Sequence, residues 1–329
     1  MRAERDPLTV VVGCGVIGMT TALRLRAAGR CVEVWTRDDP LETTSAAAGA
    51  IWYPFLAEPR DAVVRWSAVT FRRLRALADD PRAGVYMAPV VEVFAEEHPD
   101  LWWAEAVPGV ERLPPSEVPA GYRAAVRATV PVCDVPVHLA WLLAELERAG
   151  VPVMRRAVRA LADVFEVADA VVNCAGMGAR ALCEDPELVA VRGQLLVVDG
   201  AELAAAWIDD TTSRPRYLIP RADTIVVGGT AQEGDERVEP DASESAQMLE
   251  DARAAAPQLS SAVVRHARVG MRPFRSAVRL EREARPDGGV LVHNYGHGGS
   301  GYTVSWGCAD DVAALLSDGR QPRAGILPP

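Results

Sequence analysis

The chain of 329 residues contains no lysine; all 35 of its basic residues are arginines. We read this as a genomic composition bias rather than as chemistry. Against 45 acidic residues, the arginines leave a formal net charge of −10. That sign argues against non-specific nucleic-acid binding and against attraction to an anionic membrane surface. Nor does any uncharged stretch resemble a spanning helix, since the longest apolar run is broken by Gly13, Gly15 and Gly18. The charged segment Met1–Pro7 does not read as a signal peptide, and Ile326-Leu327-Pro328-Pro329 carries no peroxisomal address. The six cysteines (Cys14, Cys31, Cys133, Cys174, Cys183 and Cys308) show no C-x-x-C spacing and sit mostly in apolar surroundings. They are expected to be reduced thiols, with no disulfide and no metal site. There is no internal repeat and no low-complexity segment. What remains is an ordinary globular composition, cytoplasmic by default, with length for two domains and no clear linker between them.

What the chain does have is concentrated at its two ends. Leu8-Thr9-Val10-Val11-Val12 is a short β-branched strand running into Gly13-Cys14-Gly15-Val16-Ile17-Gly18. A helical stretch to Ala28 follows, Gly29 closes it, and Cys31-Val32-Glu33-Val34-Trp35 reads as a second strand. This is G-x-G-x-x-G in the strand–turn–helix–strand context that dinucleotide binding requires. Gly13 allows the tight turn, Gly15 the approach of a pyrophosphate, and Gly18 close packing of helix on strand. The helix N-terminus then receives the phosphate charge. An acidic residue at the end of the second strand would hold a ribose hydroxyl, but that place falls to Thr36, followed by Arg37 and Asp38. Glu33 comes three residues too early. A Thr-Arg pair suits the 2′-phosphate of NADP, so this end alone leaves NADP and FAD both open.

At the other end stands His293-Asn294-Tyr295-Gly296-His297-Gly298-Gly299-Ser300-Gly301-Tyr302-Thr303. Four glycines separated only by His297 and Ser300 let a backbone approach something large and flat. From Thr303, a 3.6-residue apolar period through Val304, Cys308, Val312, Leu315 and Leu316 predicts a helix whose N-terminus faces that turn.

Between these ends, Thr43-Thr44-Ser45-Ala46-Ala47-Ala48-Gly49 is a run of small residues and hydroxyls, readable as a loop or as phosphate donors. A helix is expected over Val63–Leu77. Short strands fill Met87 to Val132, and an amphipathic helix through Leu139, Leu142, Leu143 and Leu146 stops at Gly150. Strand-like Val151–Val158 is followed by a short helix and by Ala170-Val171-Val172-Asn173-Cys174-Ala175-Gly176, a strand ending where doubly wound sheets bind ligands. From Val191 the strands 192–198, 216–220 and 224–229 suggest a largely antiparallel sheet, with a helix near Ser243–Ala256 and a strand over Val264–Pro273.

Together these pieces resemble the FAD-dependent D-amino-acid oxidase family over nearly the whole chain. The resemblance rests on Gly13–Gly18, on Ala47-Ala48-Gly49 with Trp52 and Pro54, and on Val172-Asn173-Cys174-Ala175-Gly176. It continues through Arg192-Gly193-Gln194, Tyr217-Leu218-Ile219-Pro220, Gly270-Met271-Arg272-Pro273, Arg279-Leu280-Glu281-Arg282 and His293–Gly301. It implies an α/β protein with an α+β second part: an FAD-binding Rossmann-like domain from residues 1–49, 138–190 and 264–329, and a mixed-sheet substrate domain from 50–137 and 191–263. The cofactor-binding residues it implies are Gly13, Cys14, Gly15, Val16, Ile17, Gly18, Arg37, Asp38, Thr43, Thr44, Ser45, Ala48 and Gly49. Val158 beside the adenine, and Gly298, Gly299, Ser300, Gly301, Tyr302 and Thr303, complete the set.

The same resemblance assigns Arg272 to the substrate carboxylate, where a planar guanidinium pairs bidentately. Tyr217 adds a hydroxyl to that carboxylate, and the Gly299 carbonyl accepts from the substrate amine. The implied reaction removes the Cα hydrogen as hydride to flavin N5 and gives a 2-oxo acid, ammonia and, with dioxygen as oxidant, hydrogen peroxide. Its partners are a D-amino acid and dioxygen, with a homodimer left open. His293 and His297 are read as structural, because hydride transfer needs no base there. Where animal members carry a second tyrosine, this chain has Ser213, so substrate preference does not carry across. D-aspartate oxidase shares every motif and would draw on Arg214, Arg216 or Arg221 as an extra cation. A glycine- or sarcosine-type amine oxidase fits the same scaffold, and an NADP-dependent dehydrogenase fits Arg37 but leaves the 293–301 stretch unexplained. A non-catalytic flavin-binding protein would be favoured only if Arg272 and Tyr217 did not face the ring.

Overall fold

The structure, a computed structural model, describes residues 7–200, 202–212, 214–285 and 289–317. Ser213, residues 1–6 and the 326–329 tail lie outside the described residues. Along the chain the strands begin with β1 (Leu8–Val12), β2 (Cys31–Thr36), β3 (Val85–Phe94), β4 (Glu111–Arg112), β5 (Ala124–Cys133), β6 (Val153–Arg155) and β7 (Ala170–Asn173). They continue with β8 (Val189–Asp199), β9 (Ala206–Asp209), β10 (Arg216–Pro220), β11 (Ile225–Gly228), β12 (Gln232–Glu233), β13 (Val263–Ala284) and β14 (Val290–His297). The helices are α1 (Val16–Ala27), α2 (Arg60–Leu77), α3 (Val135–Arg148), α4 (Leu161–Val164), α5 (Ala179–Leu182), α6 (Ala242–Ala255) and α7 (Gly301–Ser317).

The 14 strands form one sheet in the order β4-β5-β3-β9-β10-β11-β8-β13-β14-β7-β1-β2-β6, with β12 pairing to β8 off this path. β1 is parallel to both β2 and β7, and β14 is parallel to β7. Helices cover both faces of parallel strands, which is why Val10 and Val11 on adjacent β1 positions are both 0% exposed and the strand reads as one β-branched run. The strands β8, β10 and β11 are antiparallel, as the alternation after Val191 suggests. The β3–β9 pairing is parallel, so this half of the sheet is mixed.

Some elements differ from their sequence expectation, each for a physical reason. The strand expected over Val264–Pro273 continues to Ala284 as β13. Its first part pairs with β8 and its last part with β14, across a register shift between Phe274 and Arg279. The continuation carries Arg275, Arg279 and Glu281, whose ion pairs (Arg275–Asp185 at 3.1 Å, Arg279–Glu281 at 2.7 Å) let charges stand on a strand face. The strand expected over Val151–Val158 shortens to β6, at the edge of the sheet beside β2. The expected 243–256 helix is α6, started by Asp241, whose carboxylate accepts from the Ser243 and Glu244 amides at 2.8 and 3.0 Å.

Helix α7 is buried along most of its length and packs on α1 and α2. It comes so close to α2 that a methyl group on Gly307 would overlap the backbone of Trp66. The Thr70 hydroxyl of α2 accepts from the Trp306 and Gly307 amides, both at 3.1 Å. Gly307→Ala is therefore expected to lower stability by about 1–3 kcal/mol through overpacking. Thermal melting checks this, and an unchanged Tm would show that the two helices separate without cost. Among the described residues, no helix is long and apolar enough to cross a membrane.

Candidate active site

A cavity of about 960 Å³ lies at the ends of β1 and β7, where parallel strands leave room for ligands. Its size is near the top of the roughly 300–1,000 Å³ range of small-molecule sites. The Gly13 amide donates to the Trp35 carbonyl at 2.8 Å and the residue takes φ of +109°. A side chain there would overlap the Cys174 carbonyl, so only glycine turns the chain this way. Gly15 caps α1, whose first turn holds no acidic residue, and the positive helix end faces the cavity without a local counter-charge. Gly13, Cys14, Gly15, Val16 and Ile17 line the cavity. Gly18 does not; a methyl group there would strike the Gly13 carbonyl, which is the helix–strand packing role expected of it. Burial pushes the Cys14 thiol up to about 12, so it is an inert wall.

The 43–49 segment folds into a short 3₁₀ turn over Thr44–Ala47 and also lines the cavity. Its hydroxyls are already engaged. Thr43 donates to the Pro40 carbonyl at 2.9 Å, Thr44 donates to the Met271 carbonyl at 3.2 Å, and Ser45 Oγ accepts from the Val16 amide at 3.0 Å. Only Ser45 thus meets the helix end directly. Ala48 and Gly49 pass along the wall, as do Arg37, Asp38 and Val158. Arg37 and Asp38 pair with each other at 2.7 Å, and this bond holds the Asp38 carboxyl below its ordinary range. The pair is largely exposed, so it gives Arg37 a local partner without fixing what else that arginine meets. Sequence reasoning passed over Arg156, whose guanidinium stacks 3.9 Å from the Trp35 ring centroid, both residues on the cavity wall. No motif marks that pair.

At the opposite wall, β14 ends in the glycine turn. Gly298 (φ +53°) donates to the Pro273 carbonyl at 2.8 Å, and a side chain on it would overlap the Leu56 carbonyl. Part of the glycine richness is therefore explained by backbone-on-backbone packing. Gly298, Gly299, Gly301 and Tyr302 line the cavity, whereas Ser300 and Thr303 are buried behind it. Ser300 Oγ accepts from the Phe55 amide and donates to the Phe55 carbonyl at 2.7 and 2.9 Å. Thr303 Oγ1 does the same with Tyr53 at 3.1 and 3.0 Å. The two hydroxyls fasten segment 53–55 to the start of α7, so they shape the wall without reaching the cavity. His297 hydrogen-bonds Asn294 Oδ1 at 3.0 Å, and burial lowers its pKa to about 3. His293 contacts Glu283 Oε2 at 3.1 Å, and burial lowers it too.

Tyr217 on β10 and Arg272 on β13 meet at the far end of the cavity. Glycines clear their places: a methyl group on Gly193 would overlap the Arg272 guanidinium, and one on Gly228 the Tyr217 ring. Arg272 donates to the Thr230 carbonyl at 2.7 Å, and its guanidinium lies 5.7 Å from the Phe55 ring centroid. Among the described residues it has no carboxylate within ion-pair distance, while Arg214, Arg216, Arg275 and Arg279 each have one. Burial raises the Tyr217 phenol, opposed by the neighbouring Arg272 charge. Tyr53, Phe55, Ile208 and Asp210 share this end, and sequence reasoning did not reach them. The first two flank Trp52 and Pro54, which gave the available signal; the last two carry none.

No cluster of ligands able to hold a metal occurs among the described residues. The bare glycine walls and two inward-facing helix starts fit a large, flat, phosphate-bearing cofactor. Comparison with known proteins agrees. The family model described as FAD dependent oxidoreductase (DAO) matches residues 9–315. A D-amino-acid oxidase of Rubrobacter xylanophilus is 44% identical over 317 residues, covering 96% of this chain and 97% of that protein. One of Streptomyces coelicolor is 41% identical over 319 residues, covering 95% and 98%. Among solved structures, glycine oxidase from Geobacillus kaustophilus superposes with a TM-score of 0.80 at 18% identity over 96% of both chains, a likeness of fold. The chain belongs to the FAD dependent oxidoreductase family.

Proposed function

We propose that this protein oxidises D-amino acids to 2-oxo acids, releasing ammonia and reducing dioxygen to hydrogen peroxide. The observation that carries the reading is Arg272, a cation without a carboxylate partner among the described residues, set on the cavity wall beside the Tyr217 phenol. A substrate carboxylate supplies the missing anion, and a planar fork fixes its orientation. Tyr217 donates its hydroxyl proton to the same carboxylate. Gly299, on the wall against Phe55 and Arg272, is assigned the amine contact. Bound FAD supplies the acceptor for the Cα hydrogen. Gly13, Gly15 and the α1 N-terminus would hold its phosphates, Val158 and Asp38 its adenosine, and Gly298, Gly299, Gly301 and Tyr302 its ring. Three fixed points then present one hand of the substrate productively.

In this reading residues 1–49, 138–190 and 264–329 serve the cofactor and 50–137 and 191–263 the substrate, with β13 joining the two. The six free cysteines support a reducing setting, which we take to be the cytoplasm. The purified protein is expected to carry an oxidised flavin spectrum and to release peroxide from D- but not L-methionine. Comparable peroxide from both enantiomers would defeat the assignment.

A further inference from the structure

The cavity contains a carboxylate that the reaction itself does not use. Asp210 lies one residue past the end of β9, and on that strand Ile208 and residue 210 point to the same side. Ile208 registers with Tyr217 across the β9–β10 ladder, so this side is the one that bears the substrate-end wall. Residues Asp209 and Arg216 register on the opposite side and pair with each other there. Arg214 is paired with Asp251. Neither arginine is left to neutralise Asp210 or to receive an acidic substrate side chain, and Arg221, the third candidate, does not line the cavity and donates to the Ala48 and Gly49 carbonyls.

Behind Asp210 stands a buried hydrogen-bonded unit. The Tyr53 hydroxyl lies 2.6 Å from Glu92 Oε1 and 3.3 Å from Asp210 Oδ2. Glu92 is 5% exposed, and its Oε2 sits by the Trp103 indole without a hydrogen bond of normal geometry. Burial pushes Glu92 up to about 7. Asp210 is open to the cavity yet closely surrounded by protein; burial, with the nearby Asp209 charge, raises it to about 6 against the lowering effect of the Tyr53 hydrogen bond and the Arg272 charge. When Glu92 holds a proton it can donate to the Tyr53 oxygen and the Tyr53 proton then goes to Asp210; when Glu92 is ionised, Tyr53 donates to it instead. The result is an anion on the same cavity wall system as Arg272, at the substrate end.

Resting on the D-amino-acid oxidase reading, we infer that Asp210, positioned by Tyr53 and Glu92, selects substrates with a cationic side chain and disfavours acidic ones. Arg272 holds the α-carboxylate, and Asp210 the ammonium or guanidinium at the other end of the substrate. A second carboxylate placed beside Asp210 instead meets like charge.

The holoenzyme tests this with matched pairs. D-lysine against D-norleucine differs by the ammonium group, and D-glutamate against D-glutamine by the charge. The wild type is expected to favour D-lysine over D-norleucine in kcat/KM by about tenfold or more, as for a charged hydrogen bond. It is also expected to favour D-glutamine over D-glutamate. Asp210→Asn, with flavin content and Tm as controls, should collapse the first ratio toward one, and Asp210→Glu should keep its direction. A wild type that prefers D-norleucine or D-glutamate overturns the inference without any variant, as does a ratio unmoved in Asp210→Asn. Equal loss on every D-substrate in a flavin-replete variant overturns it too, by placing Asp210 at the α-amine. Peroxide from none of the D-amino acids would instead sink the oxidase reading, and this inference with it.

Discussion

Replacing Arg272 with alanine should lower kcat/KM for D-amino acids by roughly 30- to 1,000-fold while leaving FAD bound. The range corresponds to about 2–4 kcal/mol, the loss expected when one partner of a charge-assisted bidentate pair is removed from a sheltered site. Two features of the structure direct the effect to substrate. Arg272 donates to the Thr230 carbonyl and also faces the Tyr217 hydroxyl, but it spends no hydrogen bond on a carboxylate. It also stands at the Tyr217 end of the cavity, away from the Gly13–Gly15 turn expected to hold phosphate. Arg272→Lys should recover only part of the loss, because an ammonium lacks the planar fork. Tyr217→Phe removes one neutral donor and should cost about 1–2 kcal/mol. Steady-state kinetics with flavin-to-protein absorbance as the control measures all three. Near wild-type kcat/KM in flavin-replete Arg272→Ala would move the carboxylate anchor elsewhere, and Arg216 is a poor substitute because Asp209 already holds it.

The cofactor half of this protein was legible because its signals are local. A β-branched run, a glycine turn and a helix lie within Leu8–Ala27, and each glycine marks a place where a Cβ would strike backbone or a close neighbour. The 293–303 stretch was legible for the same reason, though its division of labour was not. Ser300 and Thr303 read as cofactor contacts by their place in the motif, yet their hydroxyls hold Phe55 and Tyr53, residues some 250 positions away. Long-range pairing of that kind leaves no periodicity in a single sequence. The substrate end shows the limit more sharply. Tyr217 and Arg272 stand out through their flanking motifs, whereas Asp210 follows a four-residue strand and meets Tyr53 and Glu92 only through the fold. The arginines at 214, 216 and 221 looked like candidate cations; only the fold shows that the first two are matched by Asp251 and Asp209 and that Arg221 turns to the Ala48 and Gly49 carbonyls.

Gly15→Ala and Gly18→Ala, although three residues apart in one motif, should fail in different ways. Gly15 has φ of −79°, which alanine adopts without strain, and a new Cβ would meet the Ser45 hydroxyl at 2.9 Å, a short side chain that can turn away at the cost of its bond from the Val16 amide. The fold should therefore survive, and the cost should fall on whatever approaches the α1 N-terminus from the cavity. Overpacking of about 1–3 kcal/mol there weakens FAD binding by roughly 5- to 150-fold. Gly18 faces the other way. Its Cβ would overlap the Gly13 carbonyl, so α1 must move off the β1 turn or the turn must open, and neither backbone yields as a side chain does. Gly18→Ala should then lose thermal stability as well as flavin, whereas apo Gly15→Ala should melt like the wild-type apoprotein. Flavin titration by fluorescence quenching, alongside melting of both apoproteins, separates the two. If Gly15→Ala bound FAD as tightly as wild type, the pyrophosphate would not approach this turn and the cofactor's placement along α1 would be wrong. If Gly18→Ala melted normally and lost only flavin, Gly18 would be a cofactor contact rather than the packing residue its position behind the cavity indicates.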